Sequence, residues 1–210
     1  MNRRHPVFAR VYARSSPRLE LGVAAYRAAL LNGLSGRVIE VGAGNGLNFS
    51  HYPGEVTEVV AVEPETYLRS IAAVAARRTA VPITIVDGLA ERLPTADGSC
   101  DAAVACLVLC TVPDQDTALA EIRRVLRPGG ELRFFEHVGA AAPGRRRLQR
   151  AFDATLWPWF GGGCHCARDT RTAIERAGFV IDRVDRLTTA DTRIPFPAAP
   201  QILGTAIRPV

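Results

Sequence analysis

An α/β fold with a mostly parallel sheet and helices on both faces is what this 210-residue sequence predicts. Three observations predict it. Short apolar runs alternate with amphipathic helical stretches from residue 37 to residue 136, the rhythm of a parallel sheet with crossover helices. A glycine-rich turn, Gly42-Ala-Gly-Asn-Gly46, leaves the first of those runs. A composition 48% apolar and 22% charged is that of a globular chain with a full core.

The elements follow in order. Two helices come first, Pro6 to Arg14 and Arg18 to Leu31, the second stopped by Asn32-Gly33. Arg37-Val-Ile-Glu-Val41 reads as a buried strand followed by the glycine turn and a short helix, and Val56 to Val62 as a second strand. Glu65 to Arg78 is a helix with Leu68, Ile71, Ala72 and Ala75 on one face. Ile83 to Val86 and Asp101 to Leu109 are strands three and four. The helix Asp114 to Leu126 turns Leu119, Ile122 and Leu126 inward and stops at Arg127-Pro-Gly-Gly130. Glu131 to Glu136 is strand five. Thereafter the rhythm loosens: Pro143 to Arg150 is basic and Phe152 to Phe160 aromatic. Arg168 to Ala177 is a helix, and Phe179 to Val184 and Ile202 to Ile207 are the last strands. No repeat or linker divides the chain, so one domain is expected. Residues 1–33 would cover the site, 37–137 hold the cofactor and 138–210 serve the acceptor side.

Bulk properties exclude several classes. No apolar run approaches the ~20 residues that span a bilayer. The basic N-terminus has neither an apolar core nor a small-residue cleavage site, so a cytoplasmic location is expected. All 26 basic residues are arginine, and the net charge is +5. That permits peripheral contact with a lipid surface, but no basic–aromatic ladder argues for nucleic acid. Five cysteines, an odd number, do not make a closed disulfide framework.

The spacing in Val38-Ile-Glu-Val-Gly-Ala-Gly-Asn-Gly-Leu-Asn48 discriminates between ligands. A dinucleotide fingerprint, G-x-G-x-x-G, would need glycine where Leu47 stands. The G-x-G-x-G spacing preceded by Glu40 suits a ligand carrying an ammonium group, since a carboxylate would repel a pyrophosphate. Glu63 ends the second strand, where a carboxylate accepts both hydroxyls of a ribose.

These residues resemble the class I S-adenosylmethionine-dependent methyltransferases, a Rossmann-like family with a seven-stranded sheet. The resemblance runs from Arg37 to Phe135. It includes the E-x-G-x-G-x-G loop, Glu63, Gly88-Leu-Ala-Glu-Arg-Leu-Pro94, Asp97-Gly-Ser-Cys-Asp101 and Arg124-Val-Leu-Arg-Pro-Gly-Gly130. It implies S-adenosyl-L-methionine as cofactor, with Gly42, Gly44 and Gly46 along its methionine part and Glu63 on its ribose. Gly88, Leu89 and Ala90 would flank the adenine. Leu89 departs from the family, many of whose members carry an aspartate there. The full expected set adds Glu40, Ala43, Asn48, Pro64, Cys106 and Leu107.

Methyl transfer from a sulfonium is an in-line displacement, so the acceptor must be held on axis and away from water. In this fold the acceptor site would draw on Phe8, Tyr12, Cys106 to Thr111, Glu136-His137 and Trp157 to Cys166. His137 and His165 are the candidate catalytic residues; the alternative for His137 is a polar strand end touching only backbone or solvent. Trp157, Trp159 and Phe160 serve core packing or an apolar acceptor pocket equally well. Cys164-His-Cys166 offers too few ligands for a metal unless another joins, and no metal is expected. Arg145-Arg-Arg147 is read as a solvated helix start, with contact to an anionic substrate or lipid head group as the alternative.

Patches at Leu107-Val-Leu-Cys-Thr-Val112, Phe134-Phe-Glu-His-Val138 and Gly162-Gly-Cys-His165 are similar to the methyltransferase-like thiol S-methyltransferases of animal membranes. Those relatives begin with a hydrophobic anchoring segment that this sequence lacks. The resemblance implies a small, hydrophobic acceptor, with a thiol preferred. A quinone or phenol C- or O-methyltransferase, a phospholipid N-methyltransferase and a non-catalytic S-adenosylmethionine-binding module are the alternatives.

Overall fold

The computed structural model describes residues 6–155 and 157–210. The side chains of Pro6, Pro17, Arg18, Leu19, Leu21, Trp159 and Phe160 are also outside the described set, so the expectations for Trp159 and Phe160 lie outside it too.

Seven strands form one sheet in the order β3-β2-β1-β4-β5-β7-β6. They are β1 (Gly36–Val41), β2 (Val56–Val62), β3 (Ile83–Val86), β4 (Cys100–Cys106), β5 (Leu126–His137), β6 (Val180–Leu187) and β7 (Gln201–Ile207). The first five are parallel to one another, while β7 runs antiparallel to both β5 and β6. The helices are α1 (Pro6–Leu31), α2 (Thr66–Ala76), α3 (Gln115–Val125), α4 (Pro143–Asp153), α5 (Trp157–Phe160), α6 (Thr170–Arg176) and α7 (Thr189–Thr192).

Alternation along the strands gives the sheet two buried faces. Ile39, Val41, Val60, Val62, Ala103, Leu132 and Phe134 pack with Leu119 and Ile122 of α3 and Ile174 of α6. Val38, Val59, Ala61, Ala102, Val104 and Phe135 pack on the other side with Val23 and Leu30 of α1 and Ala72 of α2. Carboxylate caps start two of the helices: Asp114 accepts from Thr117 N–H at 3.1 Å, and Asp169 from Thr172 N–H at 3.3 Å.

Several elements differ from the sequence expectation. The two N-terminal helices are one, Pro6–Leu31, running through Ser15-Ser16-Pro17. Proline lacks the N–H that would bond one turn back, yet Ser16 is buried and its hydroxyl accepts from Asn45 Nδ2 at 3.0 Å. Tertiary docking overrides the local break. The short helix after the glycine turn is a 3-10 turn, Phe49–His51. Strand five starts at Leu126, before the Pro-Gly-Gly stop, because its pairing with β4 shifts register between Cys100 and Ala102. The basic stretch after β5 is α4, started by Pro143 in the first turn.

Candidate active site

The glycine turn leaves the carboxyl end of β1 with positive φ at Gly42 (69°), Gly44 (57°) and Gly46 (81°), a conformation that favours glycine. A Cβ on Gly42 would fall 2.4 Å from Val108, and one on Gly46 2.7 Å from the Phe49 ring, so these two admit close packing. A Cβ on Gly44 would meet only the Tyr12 ring, at 3.6 Å. Ala43 is buried beneath. Tyr12 itself stacks on Phe8, ring centroids 5.7 Å apart, and α1 thereby covers the turn.

A buried polar network holds the turn from behind. Glu40 accepts from Asn48 Nδ2 and from the Tyr52 hydroxyl, both at 2.8 Å. Burial pushes the Glu40 carboxyl up to about 7, against those two hydrogen bonds. Arg27, 5% exposed, donates to Asn48 Oδ1 at 2.9 Å, to Cys106 Sγ at 3.0 Å and to Glu20 at 3.0 Å. The Cys106 thiol is pushed up to about 11 by burial. Glu40, Asn48 and Cys106 therefore already have partners inside the protein, while the side chain facing the Cβ direction at Gly44 is Tyr12.

Glu63 ends β2 at 6% exposure. Its Oε2 accepts from Gly44 N–H at 2.8 Å and its Oε1 from Glu65 N–H at 2.9 Å. Burial raises this carboxyl also. Each oxygen keeps a second lone pair, so the pair of hydroxyls on a ribose fits a carboxylate whose position the turn has fixed. Pro64 follows. Arg69 donates to Glu63 O at 2.7 Å and pairs with Asp87 at 3.1 Å, tying β2 to the segment after β3. There a depression is lined by Asp87, Gly88, Leu89, Arg92, Leu93, Pro94 and Thr95. Leu89 is 40% exposed and bridges to Arg92, while Ala90 is buried.

Beyond β4 the chain turns through Leu107, which holds φ at 57° and donates to Phe135 O at 2.7 Å. The turn is fixed by Glu136, expected on the acceptor side together with His137. Fully buried, it accepts from the N–H groups of Val108 (2.9 Å), Leu109 (2.8 Å) and Cys110 (3.1 Å). Burial pushes its carboxyl up to about 7. Its position was legible only as a polar residue within the apolar Phe134-Phe135 run.

His137, partly buried, places Nδ1 3.5 Å from Cys110 Sγ and 3.6 Å from Cys164 Sγ. His165 lies close by in sequence, but its Nδ1 is engaged with Gly163 O at 2.7 Å, and its N–H donates to Cys110 O at 2.8 Å. The loop before it reaches α1: a Cβ on Gly162 would overlap the Phe8 ring at 2.3 Å. Gln149 of α4, absent from every sequence expectation, is fully buried and joins this side together. It accepts from Ala140 N–H at 2.7 Å and donates to Val138 O, Cys166 O and Pro197 O. Arg145 and Arg147 are exposed on α4. Among the described residues no helix is long and apolar enough to cross a membrane.

Residues 39–134 match the family model of a methyltransferase domain. The thiol S-methyltransferase TMT1B of Mus musculus is 36% identical over 188 residues, covering 85% of this chain and 74% of its own. The human thiol S-methyltransferase TMT1A is 36% identical over 152 residues, covering 70% of this chain and 62% of its own. A ubiquinone/menaquinone biosynthesis C-methyltransferase of Methylobacterium nodulans is 39% identical over 84 residues, covering 40% of this chain and 33% of its own. Among solved structures, a geranyl diphosphate methyltransferase in complex with S-adenosylmethionine superposes with a TM-score of 0.68 at 16% identity, covering 91% of this chain and 86% of that one. A methyltransferase-like protein from Bacillus halodurans reaches 0.71 at 15% identity, over 89% and 98%. With sheet order, glycine turn and relatives in agreement, the chain belongs to the class I S-adenosylmethionine-dependent methyltransferases and is an enzyme of that family.

Proposed function

We propose that this methyltransferase acts on a small, hydrophobic thiol and makes a thioether. The observation that carries the reading is the 36% identity to a thiol S-methyltransferase across 85% of the chain. Bound S-adenosylmethionine supplies a methyl group on a positively charged sulfonium. On this reading Gly44 leaves room for its methionine part, with Gly42, Ala43 and Gly46 shaping the turn and Glu40 and Asn48 stiffening it from behind. Glu63 and Pro64 hold the ribose, and Gly88, Leu89 and Ala90 flank the adenine. Cys106 and Leu107 close the floor at the end of β4.

The acceptor side, with His137 and His165, begins where Leu107 turns away. Phe8 and Tyr12 lie over it and keep water out, which matters because water competes with a weakly held nucleophile. A thiol with a pKa near about 8.5 already supplies a few per cent thiolate at neutral pH, so the residues need only orient it. A phenol or amine would require a base aimed at it.

The C-methyltransferase similarity favours a second reading, carbon methylation of a quinone ring, but it spans only 40% of the chain. The test is a matched panel of alkyl and aryl thiols, phenols and amines of similar shape, with methyl transfer read by mass spectrometry. Thiols are expected to turn over and the others to stay inert. Turnover of phenols, quinols or amines with inert thiols would overturn the thiol reading and leave the family assignment intact.

A further inference from the structure

Of the cysteine–histidine cluster behind the acceptor side, only His137 has a part in the roles assigned above, and a role for the whole cluster deepens that reading. The cluster gathers three remote points of the chain: Cys110 after β4, His137 at the end of β5, and Cys164 behind Gly161–Gly163. Their ligand atoms all lie within 4.8 Å of one another. The individual spacings are informative. A tetrahedral zinc centre with Zn–S about 2.3 Å and Zn–N about 2.0–2.1 Å has S···N edges of about 3.5–3.6 Å and S···S edges of about 3.7–3.8 Å. The two S···N separations here are 3.5 Å and 3.6 Å. Cys166 Sγ, 3.7 Å from Cys164 Sγ, lies outside that mutual group.

The segments carrying these atoms are fixed by the protein itself. Glu136 holds the Cys110 N–H at 3.1 Å, and the His165 N–H bonds Cys110 O at 2.8 Å. Asp153 accepts from the N–H groups of Cys166 and Ala167, both at 2.8 Å. All five cysteines are free thiols, so no disulfide accounts for the convergence. Cys110 and Cys164 are buried, at 1% and 5% exposure. Two thiolates cancel the charge of a dication, which removes the main cost of placing one in such a site.

We propose that Cys110, His137 and Cys164 bind a soft divalent cation, zinc by ligand type, with the fourth position open to water. Binding releases the two thiol protons to solvent and uses the neutral imidazole's Nδ1 lone pair. The ion clips the loop at residues 161–166 to the carboxyl ends of β4 and β5, next to the acceptor. His137 is then a ligand and not a proton acceptor for the thiol.

The test uses the full-length protein, purified with a non-thiol reductant. Elemental analysis is expected to find one zinc per chain. After removal of zinc, titration with Co2+ is expected to give a thiolate-to-cobalt charge-transfer band and the intense visible bands of a tetrahedral centre. Cys110→Ser, Cys164→Ser and His137→Gln should each weaken Co2+ binding at least about tenfold. Cys100→Ser, a buried cysteine outside the cluster, should leave it unchanged. Circular dichroism accompanies each variant; where the variants fail to fold, the wild-type protein decides. Folded wild type without zinc or a thiolate–cobalt band overturns the proposal, as does binding that survives all three ligand substitutions. Methyl transfer is no part of the readout, so failure of the thiol reading is separately visible.

Discussion

The cofactor side and the acceptor side of this molecule are built from different materials. On the cofactor side, a backbone turn is held by hard oxygen groups: Glu40, Asn48 and Tyr52 behind it, and Glu63 on Gly44 N–H. On the acceptor side, sulfur and imidazole converge over a turn that one carboxylate, Glu136, fixes through three N–H groups. The first arrangement suits a ligand with a ribose and an amino acid, the same in every member of the family. The second is built from soft donors. The cofactor half is made of contacts 8 to 19 residues apart, the acceptor half of contacts 26 to 28 residues apart.

The contrast can be broken most forcefully at Glu136. Glu136→Ala leaves three buried N–H groups without an acceptor and should cost about 3–5 kcal/mol of stability. A melting curve near wild type would show that the acceptor-side turn is held by something else. On the cofactor side the corresponding probe is Glu40, and its effect has the opposite sign. A carboxyl raised to about 7 in the folded state, from 4.5, binds its proton more tightly folded than unfolded. Stability is therefore highest below the unfolded value and falls as pH rises from about 4.5 to 7, by at most ~3 kcal/mol, then levels off. Glu40→Gln should flatten that fall and melt higher than wild type at pH 8. Thermal melts from pH 5 to 8 check it, and an unchanged slope would remove Glu40 as its source.

A smaller effect, on binding alone, is expected at Glu63. Glu63→Ala should weaken S-adenosylmethionine and S-adenosylhomocysteine binding by about 1.5–3 kcal/mol, the scale of hydrogen bonds to a charged group. Calorimetry giving full affinity would take Glu63 out of the ribose site. The smallest change belongs to Leu89, 40% exposed. Leu89→Ala should cost about 0.5–1 kcal/mol of cofactor affinity through lost apolar contact, whereas Leu89→Asp should match wild type or exceed it. Equal affinity in the alanine variant would place Leu89 away from the adenine.

The same contrast explains what could be read in advance. Gly42, Gly44, Gly46 and Glu63 are legible because strand, turn and next strand follow one another and their spacing is the geometry. The parallel sheet was legible for the same reason, one strand–helix unit at a time. Cys110 and Cys164 each lie 27 residues from His137 with no periodic link between them. Sequence spacing showed Cys164 and Cys166 short of ligands, and only the fold supplies the missing ones. Gln149 escaped, and Glu136 was placed on the acceptor side without its anchoring function, because a buried polar side chain looks like a surface position until its partners are known. Ser15-Ser16-Pro17 misled in the other direction: a local breaker was outweighed by docking of Ser16 on Asn45.

Because α1 is one unbroken helix, Phe8, Tyr12 and Ser16 sit on a single rod about 1.5 Å per residue in rise. Phe8 meets the loop at Gly162, Tyr12 covers Gly44, and Ser16 anchors the rod at Asn45. Two hinged helices could uncover the two ligands separately; one rod uncovers them together. Departure of the methylated product and exchange of the spent cofactor would then share one gate, and release of both could pace turnover. A pre-steady-state burst equal to one methyl group per chain is the kinetic trace such a gate leaves, and its absence would place the slow step in the chemistry instead.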